Sequence, residues 1–243
     1  LPVGVHREPE AARGRPKVVS NYLLEKMRDA GASQAYVVLR SGKWDIPEYY
    51  GNGAALRLPL AYLMMGDPYG PPFSVAVAAP FVADADVLFG FPDILIQPHD
   101  VFSRLTARLH STQADLVLGL FRGRLSDPLD VVTTDAGGRV NRLVTKEEKP
   151  PRAEGDVGYM TAAWSPVFTD FLCREVARLA QIARRSEGPP PDWPMGAVFS
   201  AAIREGLHVD SVFLPDAKFL DIGTPAGLAE ALDFPGVWRG GAG

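Results

Sequence analysis

The sequence has very little cysteine: Cys173 is the only one among its 243 residues. A single cysteine cannot form an intramolecular disulfide, so disulfide-stabilised folds are excluded and a reducing cytoplasm is the expected compartment. Long apolar runs are absent as well, since none reaches the roughly 18 residues that a membrane-spanning helix needs. The first residues, LPVGVHREPE, turn polar at once and do not resemble a signal peptide. We therefore expect no association with a membrane.

Positive charge is not in excess either. The chain has 25 lysines and arginines against 29 acidic residues, which gives a net charge of -4 at neutral pH. Nucleic-acid-binding and polybasic membrane-binding domains usually carry a basic surface, and this balance supplies none overall. Apolar residues make up 47% of the chain, a composition typical of globular enzymes and binding domains. We expect small molecules rather than nucleic acids as partners.

Several well-known catalytic motifs are absent. The four histidines are scattered, and no cluster of histidine and cysteine has the spacing of a zinc site. The sequence contains neither the G-x-S-x-G turn of the α/β-hydrolases nor the G-x-x-x-x-G-K-[ST] loop that binds phosphates in many nucleotidases. These absences disfavour zinc hydrolases, serine hydrolases and P-loop enzymes.

What the sequence does have is a regular alternation of strand-like and helix-like segments. Apolar residues at helical spacing predict helices, and short runs rich in branched and aromatic residues predict strands between them. A hairpin is predicted over 129–150, with the residues DAGG at its tip. The predicted helices cover 18–31, 99–113, 169–186, 195–206 and 226–232, and the predicted strands 34–40, 56–65, 84–96, 114–121 and a last pair within 207–223. This order predicts a single α/β domain over residues 1–243, with a mixed and mostly parallel sheet.

Two acidic residues follow the predicted strands directly. Asp93 comes after VLFGFP, and Asp221 ends KFLD, just before a turn-prone Gly223. Ligands of open α/β sheets bind beyond the carboxyl ends of strands, and two carboxylates that converge there can hold Mg²⁺. Either residue could instead cap a helix or close a turn, and the residues alone leave these readings about equally open.

A third polar group lies in TKEEKPP, residues 145–151, at the end of the predicted hairpin. A lysine there could bind a phosphate, and a carboxylate could accept a hydrogen bond from a sugar hydroxyl. A solvated, charged strand end is the simpler reading from composition alone.

Taken together, these segments resemble the sugar-1-phosphate nucleotidyltransferases, the group of glucose-1-phosphate thymidylyltransferases and uridylyltransferases. The resemblance runs over about residues 1–233 and rests on motifs that occur in the family's order. They are LPVG, RPKVVSNYLLEKMRDAG, GDPYG, FGFPDILI, DAGGRVNRLVTKEEKP and FLDIGTPAGLAEAL. The resemblance implies a Rossmann-like three-layer α/β sandwich of the nucleotide-diphospho-sugar transferase type.

The resemblance also implies a reaction and a set of site residues. A nucleoside triphosphate and a sugar 1-phosphate would react, with Mg²⁺ as cofactor, to give a nucleotide-sugar and pyrophosphate. Asp93 and Asp221 would hold the Mg²⁺, and Lys149 would be the catalytic residue that contacts the sugar phosphate. Glu148 would bind a sugar hydroxyl, and Gly70 would let the base approach closely. Members of this family commonly form homo-oligomers.

The sequence departs from the family at its start. The family's glycine-rich signature loop, which cradles the triphosphate, precedes the position of LPVG, and residues 1–243 do not contain it. The expectation is a domain truncated at its N-terminus, which would be inactive or poorly active as it stands. Met65 stands where the family has the glutamine that reads the base, and this favours a second reading, a non-catalytic nucleotide-sugar-binding or regulatory domain. A third reading, a glycosyltransferase, would use the acids of 84–86, but these precede their strand.

Overall fold

The fold is described from a computed structural model, which describes residues 2–6, 15–123, 129–148, 153, 155–188, 191–223 and 225–233. Numbered in chain order, the strands are β1 Pro2–His6, β2 Arg15–Val18, β3 Ala35–Leu39, β4 Leu60–Met64, β5 Val87–Gly90, β6 Ile94–Gln97, β7 Leu116–Arg122, β8 Val131–Thr134, β9 Val140–Val144, β10 Val157–Trp164, β11 Val209–Phe213 and β12 Lys218–Asp221. The helices are α1 Val19–Asp29, α2 Asp45–Tyr50, α3 Pro71–Ala78, α4 Val101–Thr112, α5 Pro166–Arg185, α6 Met195–Arg204 and α7 Pro225–Asp233.

Helices cover both faces of the central sheet, and strand β7 shows why. Successive side chains of a strand point to opposite faces. Leu116 and Leu118 of β7 pack into a core formed with α3, α5 and α6, whereas Val117 between them packs into a second core formed with α1 and α4. All three side chains are fully buried. The strand therefore lies between two helical layers, which is the predicted three-layer α/β sandwich.

The sheet is mixed, as expected, but the prediction that it is mostly parallel is wrong, because five of the seven described strand pairings are antiparallel. Its four-stranded part has the order β11-β7-β10-β5, in which β11 runs parallel to β7 while β10 runs antiparallel to both β7 and β5. Strands β3 and β4 form a separate parallel pair. Among the described pairings these two are the parallel ones, because β10, β12 and the hairpins each join a neighbour in the antiparallel sense.

Helix α1 shows how well the periodicity located the helices. Its buried face includes Tyr22, Leu23 and Met27, at the spacing expected for one side of a helix. It ends where Gly31 adopts a φ of +93° and donates its backbone N–H to the carbonyl of Arg28 at 2.8 Å. A residue without a Cβ takes this left-handed conformation without steric cost, so the predicted stop is confirmed.

The predicted hairpin is present as β8 and β9, and α4 holds its tip. Asp135 accepts backbone N–H groups of Gly137 and Arg139 at 2.8 and 3.0 Å, and Gly138 has a φ of +91°. The guanidinium of Arg108 on α4 donates to the carbonyl of Gly137 and makes a two-point ion pair with the buried carboxylate of Asp210. Such a two-point pair fixes orientation as well as distance. The hairpin is thus anchored to both a helix and the sheet.

Three further sequence-based expectations need correction. The last two strands, β11 and β12, do not pair with each other: β11 joins β7 and β12 joins β6. The segment 84–96 contains two strands, β5 and β6, rather than one. Strands β1, β2 and β10 and helices α2 and α3 were not predicted at all. The sequence of β10, VGYMTAAW, is mostly apolar and does not alternate with polar residues, as is typical of a strand that is covered on both faces.

Candidate functional site

Asp93 and Asp221 are brought together by the pairing of β6 with β12. Asp93 directly precedes β6, and Asp221 is the last residue of β12, opposite Ile94 in the antiparallel ladder. The backbone N–H of Ile222 also donates to the carbonyl oxygen of Asp93 at 3.0 Å. Two acids that are 128 positions apart in the sequence thus become neighbours. The pairing that joins them is long-range, and nothing local in the sequence reveals it.

Gly223 lies between the two carboxylates. A Cβ built on this glycine would be 3.0 Å from Asp93 Oδ2 and 3.0 Å from Asp221 Oδ1. Both oxygens therefore face one point, and they are no more than about 6 Å apart by that geometry. The backbone N–H of Gly223 donates to Asp221 Oδ1 at 2.8 Å, so this carboxylate also closes the turn that leads to α7. Asp221 can therefore close this turn and also serve as a metal ligand.

Asp93 does not cap a helix. A strand follows it, and the residue at the start of the next helix, α4, is Asp100. Partial burial raises the pKa of the Asp93 carboxyl above its ordinary value, and the negative charge of Asp221 raises it further, against a lowering by a backbone hydrogen bond. A carboxyl whose charge is disfavoured by burial and by a second acid nearby is a common feature of functional sites.

The donor set fits Mg²⁺. This ion takes oxygen ligands at about 2.1 Å in an octahedron, typically one or two carboxylates with water and substrate phosphate oxygens in the remaining positions. Asp93 and Asp221 supply two such oxygens at a partly exposed edge of the fold. Within the described ranges, no group of three or more histidine, cysteine or acidic residues could hold a metal on its own. An ion held by these two carboxylates alone would keep coordination positions open for water or for oxygens of a ligand.

Glu148 lies elsewhere, at the rim of a cavity of about 350 Å³. It is exposed and ends a short 3-10 turn over Lys146–Glu148, directly after β9. The cavity is lined by this turn, by Asp192 and Trp193, and by the exposed face of α6. The size and the mixed lining suit a small polar ligand such as a sugar. Lys149, the predicted catalytic residue, lies outside the described residues.

Gly70 borders the same segment from the other side. It has a φ of +105°, and a Cβ there would lie 2.2 Å from the carbonyl oxygen of Trp193 and 2.8 Å from a carboxylate oxygen of Asp192. The backbone N–H of Trp193 donates to the carbonyl of Tyr69 at 3.0 Å, and the Trp193 ring stacks on Phe73. Contact with this segment is a sufficient physical reason for a glycine here. Its predicted role towards a base stays a prediction.

Asp130 is a supporting residue that the sequence did not single out. Its carboxylate accepts the backbone N–H of Lys146 at 2.9 Å and the hydroxyl of buried Tyr159. A Cβ on Gly196 of α6 would lie 2.1 Å from Asp130 Oδ2, so the helix approaches this carboxylate closely. Asp130 thus joins β8, β10 and α6 to the start of the turn that ends at Glu148. Asp130 could have been identified from the sequence, because it is an acid within the otherwise apolar run LDVV.

Burial raises the pKa of Asp130, and the nearby charge of Glu147 adds to the rise, while the hydrogen bonds from Lys146 and Tyr159 and the charge of Lys146 oppose it. The folded chain then binds this proton more tightly than the unfolded chain, whose carboxyl titrates near 3.8. The contribution of Asp130 to stability is therefore greatest below pH 3.8 and declines as the pH rises through its folded pKa.

Replacing Asp130 by asparagine is expected to remove this decline. As the pH rises from 3.8, the free energy of unfolding of Asp130→Asn should increase relative to that of the native chain. The reason is that asparagine has no proton to lose. Asp130→Ala should be less stable throughout, by about 1–3 kcal/mol, since it leaves the buried Tyr159 hydroxyl without its acceptor. Urea unfolding at a series of pH values measures both. Parallel pH profiles for the native chain and the asparagine variant would contradict the expectation.

No family model matches the sequence. A curated relative, the low-salt glycan biosynthesis nucleotidyltransferase Agl11 of Haloferax volcanii, is 23% identical over 222 residues, which cover 88% of this chain and 56% of the relative. The chain therefore spans just over half the length of this relative.

Solved structures match over most of the chain. A UDP-glucose pyrophosphorylase complexed with UDP-glucose superposes with a TM-score of 0.70 at 14% identity, covering 88% of this chain and 85% of that one. A structure described as a glucose-1-phosphate thymidylyltransferase from Bacillus anthracis, in complex with a sucrose, has a TM-score of 0.73 at 11% identity, covering 97% and 85%. The UTP-bound UGPase from Acinetobacter baumannii has a TM-score of 0.68 at 17% identity, covering 92% and 83%.

These comparisons confirm two predictions from the sequence. The fold is the Rossmann-like three-layer α/β sandwich of the nucleotide-diphospho-sugar transferase type. The resemblance to sugar-1-phosphate nucleotidyltransferases, inferred from the order of the motifs, is confirmed by a curated relative and by solved structures that are themselves sugar nucleotidyltransferases.

Proposed function

We propose that this chain is the nucleotidyltransferase domain of an enzyme that joins a nucleoside triphosphate to a sugar 1-phosphate, with Mg²⁺ as its cofactor. The observation that carries the proposal is the convergence of the Asp93 and Asp221 carboxylates on Gly223, at the ends of strands that the fold brings together. The resemblance of fold and motifs to sugar nucleotidyltransferases supports the substrate class.

The proposed reaction is a single displacement at phosphorus. An oxygen of the sugar 1-phosphate attacks the α-phosphorus of the triphosphate, the bond from that phosphorus to the bridging oxygen breaks, and pyrophosphate leaves with its electron pair. Such transfers depend chiefly on positioning and on neutralising phosphate charge, so no covalent protein intermediate is required. A bound Mg²⁺ would supply part of that neutralisation.

The chain's own residues have distinct parts in this proposal. Asp93 and Asp221 would hold the ion, whose positive charge would help to neutralise the substrate phosphates. Glu148 accepts a hydrogen bond from a sugar hydroxyl at the rim of the cavity beside Trp193, and Lys149 contacts the sugar phosphate. Asp130 acts through the backbone of Lys146 and keeps the turn in place. We further propose that residues 1–243 act as one domain, in the cytoplasm, and that copies of the chain associate as homo-oligomers.

The part of the chain that the structure describes contains no helix that is both long and apolar enough to cross a bilayer. The proposed substrates are small, anionic and water-soluble, and Asp93 and Asp221 are exposed, so a cation held by them would be accessible to substrate phosphates.

Pyrophosphate release tests the proposal. The purified protein is incubated with Mg²⁺, glucose 1-phosphate and either UTP or dTTP, and phosphate is measured after addition of pyrophosphatase. We expect slow release, in keeping with the poorly active chain expected from the sequence, and this release should require both substrates and stop on addition of EDTA. Binding of UDP-glucose without release for any substrate pair would favour the non-catalytic, nucleotide-sugar-binding reading. Neither binding nor release would contradict both readings.

A further inference from the structure

Lys26 of α1 is a lysine that the fold buries. Only 4% of its surface is exposed, and it lies about one helical turn after Tyr22, on the same side of the helix. Tyr22 belongs to an apolar cluster with Leu95 of β6 and Ala231 of α7. Lys26 therefore lies on a packed side of α1 rather than on a solvent-facing side, where most lysines are found.

The ammonium of Lys26 has no polar partner in the part of the chain that the structure describes. It neither donates a hydrogen bond nor forms an ion pair there. The acids whose charges act on it are Glu25 and Asp29, and each is already paired with another cation. Glu25 accepts a hydrogen bond from Lys17 Nζ at 2.6 Å, and Asp29 accepts one from Arg28 Nε at 2.7 Å. Lysines buried to this degree are normally paired, so this one is an exception.

The nitrogen of Lys26 nevertheless reaches solvent. Throughout the described ranges, every side-chain nitrogen or oxygen of a non-exposed residue that is shut off from water has a hydrogen-bond partner. The Nζ of Lys26 has no such partner, so it is not shut off from water, and the small exposed fraction of the residue includes it. A small molecule can therefore reach this nitrogen, although the rest of the side chain is covered.

Burial without a partner favours the neutral amine over the ammonium. Burial lowers the pKa of Lys26 from 10.5 to about 8, and the charge of Lys17 adds to the fall, while the charges of Glu25 and Asp29 oppose it. Near pH 8 about half of the chains then carry an uncharged amine at this position, against less than about 1% for an ordinary lysine. The uncharged amine is the nucleophilic form.

We propose that Lys26 is a modification site, at which the side-chain nitrogen accepts an acyl group from a small acyl phosphate. The nitrogen attacks the carbonyl carbon and a carbon–nitrogen bond forms. The bond from that carbon to the phosphate oxygen breaks, and the phosphate leaves with its electron pair and takes up the proton that the amine loses. The inference rests on the burial and the missing partner of Lys26, and it does not depend on the proposed reaction.

The surroundings of Lys26 favour an acyl group as the modification. The product is an amide without charge, so it removes the cost of keeping an unpaired ammonium on a packed side of the helix. Reaction with carbon dioxide would instead leave a carbamate, which places a new negative charge at the same position. The low exposure of the residue restricts the donor to a small molecule.

Acetylation by acetyl phosphate tests the proposal, with Lys43 as the matched control because it is an exposed lysine. The chain is incubated with acetyl phosphate at pH 8, folded and in urea, and peptide mass spectrometry gives the rate at each lysine. In the folded chain we expect Lys26 to react about fivefold faster than Lys43, because its larger neutral fraction outweighs its lower exposure. In urea the two should react alike.

The variant Lys26→Met supplies a second readout that needs no reagent. Methionine keeps a long, flexible side chain and removes the charge. We expect Tm to rise by several degrees at pH 7. This gain should shrink as the pH rises from the folded pKa of about 8 towards 10.5, because the native chain then folds with an uncharged Lys26. Lys43→Met should leave Tm unchanged at each pH.

Two results would overturn the proposal. Acetylation of Lys26 that is no faster than that of Lys43 in the folded chain, or that occurs only in urea, would show that the folded site is not reactive. A Tm of Lys26→Met equal to or below that of the native chain would show that the ammonium is not an unfavourable buried charge. Neither measurement reads pyrophosphate release, so their failure is distinct from a failure of the proposed reaction.

Discussion

Asp93→Asn and Asp221→Asn are each expected to lower Mg²⁺-dependent pyrophosphate release by about a hundredfold or more. Each change keeps the size of the side chain but removes a negative charge that faces the point beside Gly223. An amide oxygen is a weaker ligand for a hard cation than a carboxylate oxygen. Because both residues serve one ion, the double variant should lose little more than either single variant.

The measurement is a rate at several Mg²⁺ concentrations, together with calorimetric binding of Mg²⁺ and UTP. A shift to higher Mg²⁺ requirement in the single variants would identify metal binding as the step affected. Asp84→Asn is the matched control, because Asp84 is an exposed acid before β5 and belongs to the sequence DAD of the glycosyltransferase reading. Full activity in both Asp93 and Asp221 variants, or a selective loss in the Asp84 variant, would contradict the assignment of the metal ligands.

Gly70→Ala is expected to lower the free energy of unfolding by about 2–4 kcal/mol. Two causes act together: the backbone has a φ of +105°, and a Cβ would lie 2.2 Å from the carbonyl oxygen of Trp193. That oxygen belongs to the backbone, so the overlap can be relieved only by moving the segment that lines the cavity beside Glu148. We also expect weaker binding of UDP-glucose for that reason.

Comparison with Gly31→Ala separates the effect of the positive φ from the effect of the contact with Trp193. Gly31 has a similar φ of +93°, but no atom lies within 4 Å of the position that its Cβ would take. This variant should show the backbone strain alone, about 1 kcal/mol. Urea unfolding of the two variants side by side measures the difference. If Gly70→Ala were no more destabilising than Gly31→Ala, contact with Trp193 would not be the reason for a glycine at position 70.

Five of the seven described helices, and the hairpin, could be predicted because their signals are local. The periodic apolar residues of α1, the stop at Gly31 and the DAGG turn each depend on neighbours a few residues away. Strand β10 was not predicted, because a strand covered on both faces has no alternation to detect. The pairing of β11 and β12 with different partners was also missed, since adjacency in sequence favours pairing them together and only the packed cores separate them.

The same distinction between local signals and long-range contacts applies to the candidate site. The sequence showed that Asp93 and Asp221 end strand-like segments and that acids and lysines follow the hairpin, because strand ends and turns have compositional signals. It could not show that β6 and β12 pair, and therefore could not choose between a cap and a ligand for Asp221. Asp130 was passed over, since its importance comes from Tyr159, Lys146 and Gly196, which lie on three other parts of the chain.

By itself, then, the sequence determined an α/β chain with ordered motifs that resemble those of the sugar nucleotidyltransferases, because these features depend on residue types and spacings along the chain. The tertiary structure decided which distant residues meet. It brought Asp93 and Asp221 to one point and placed Gly70 and Glu148 on either side of the segment at Trp193. Such juxtapositions arise from long-range strand pairing and from burial on two faces of a sheet, and no local pattern encodes them.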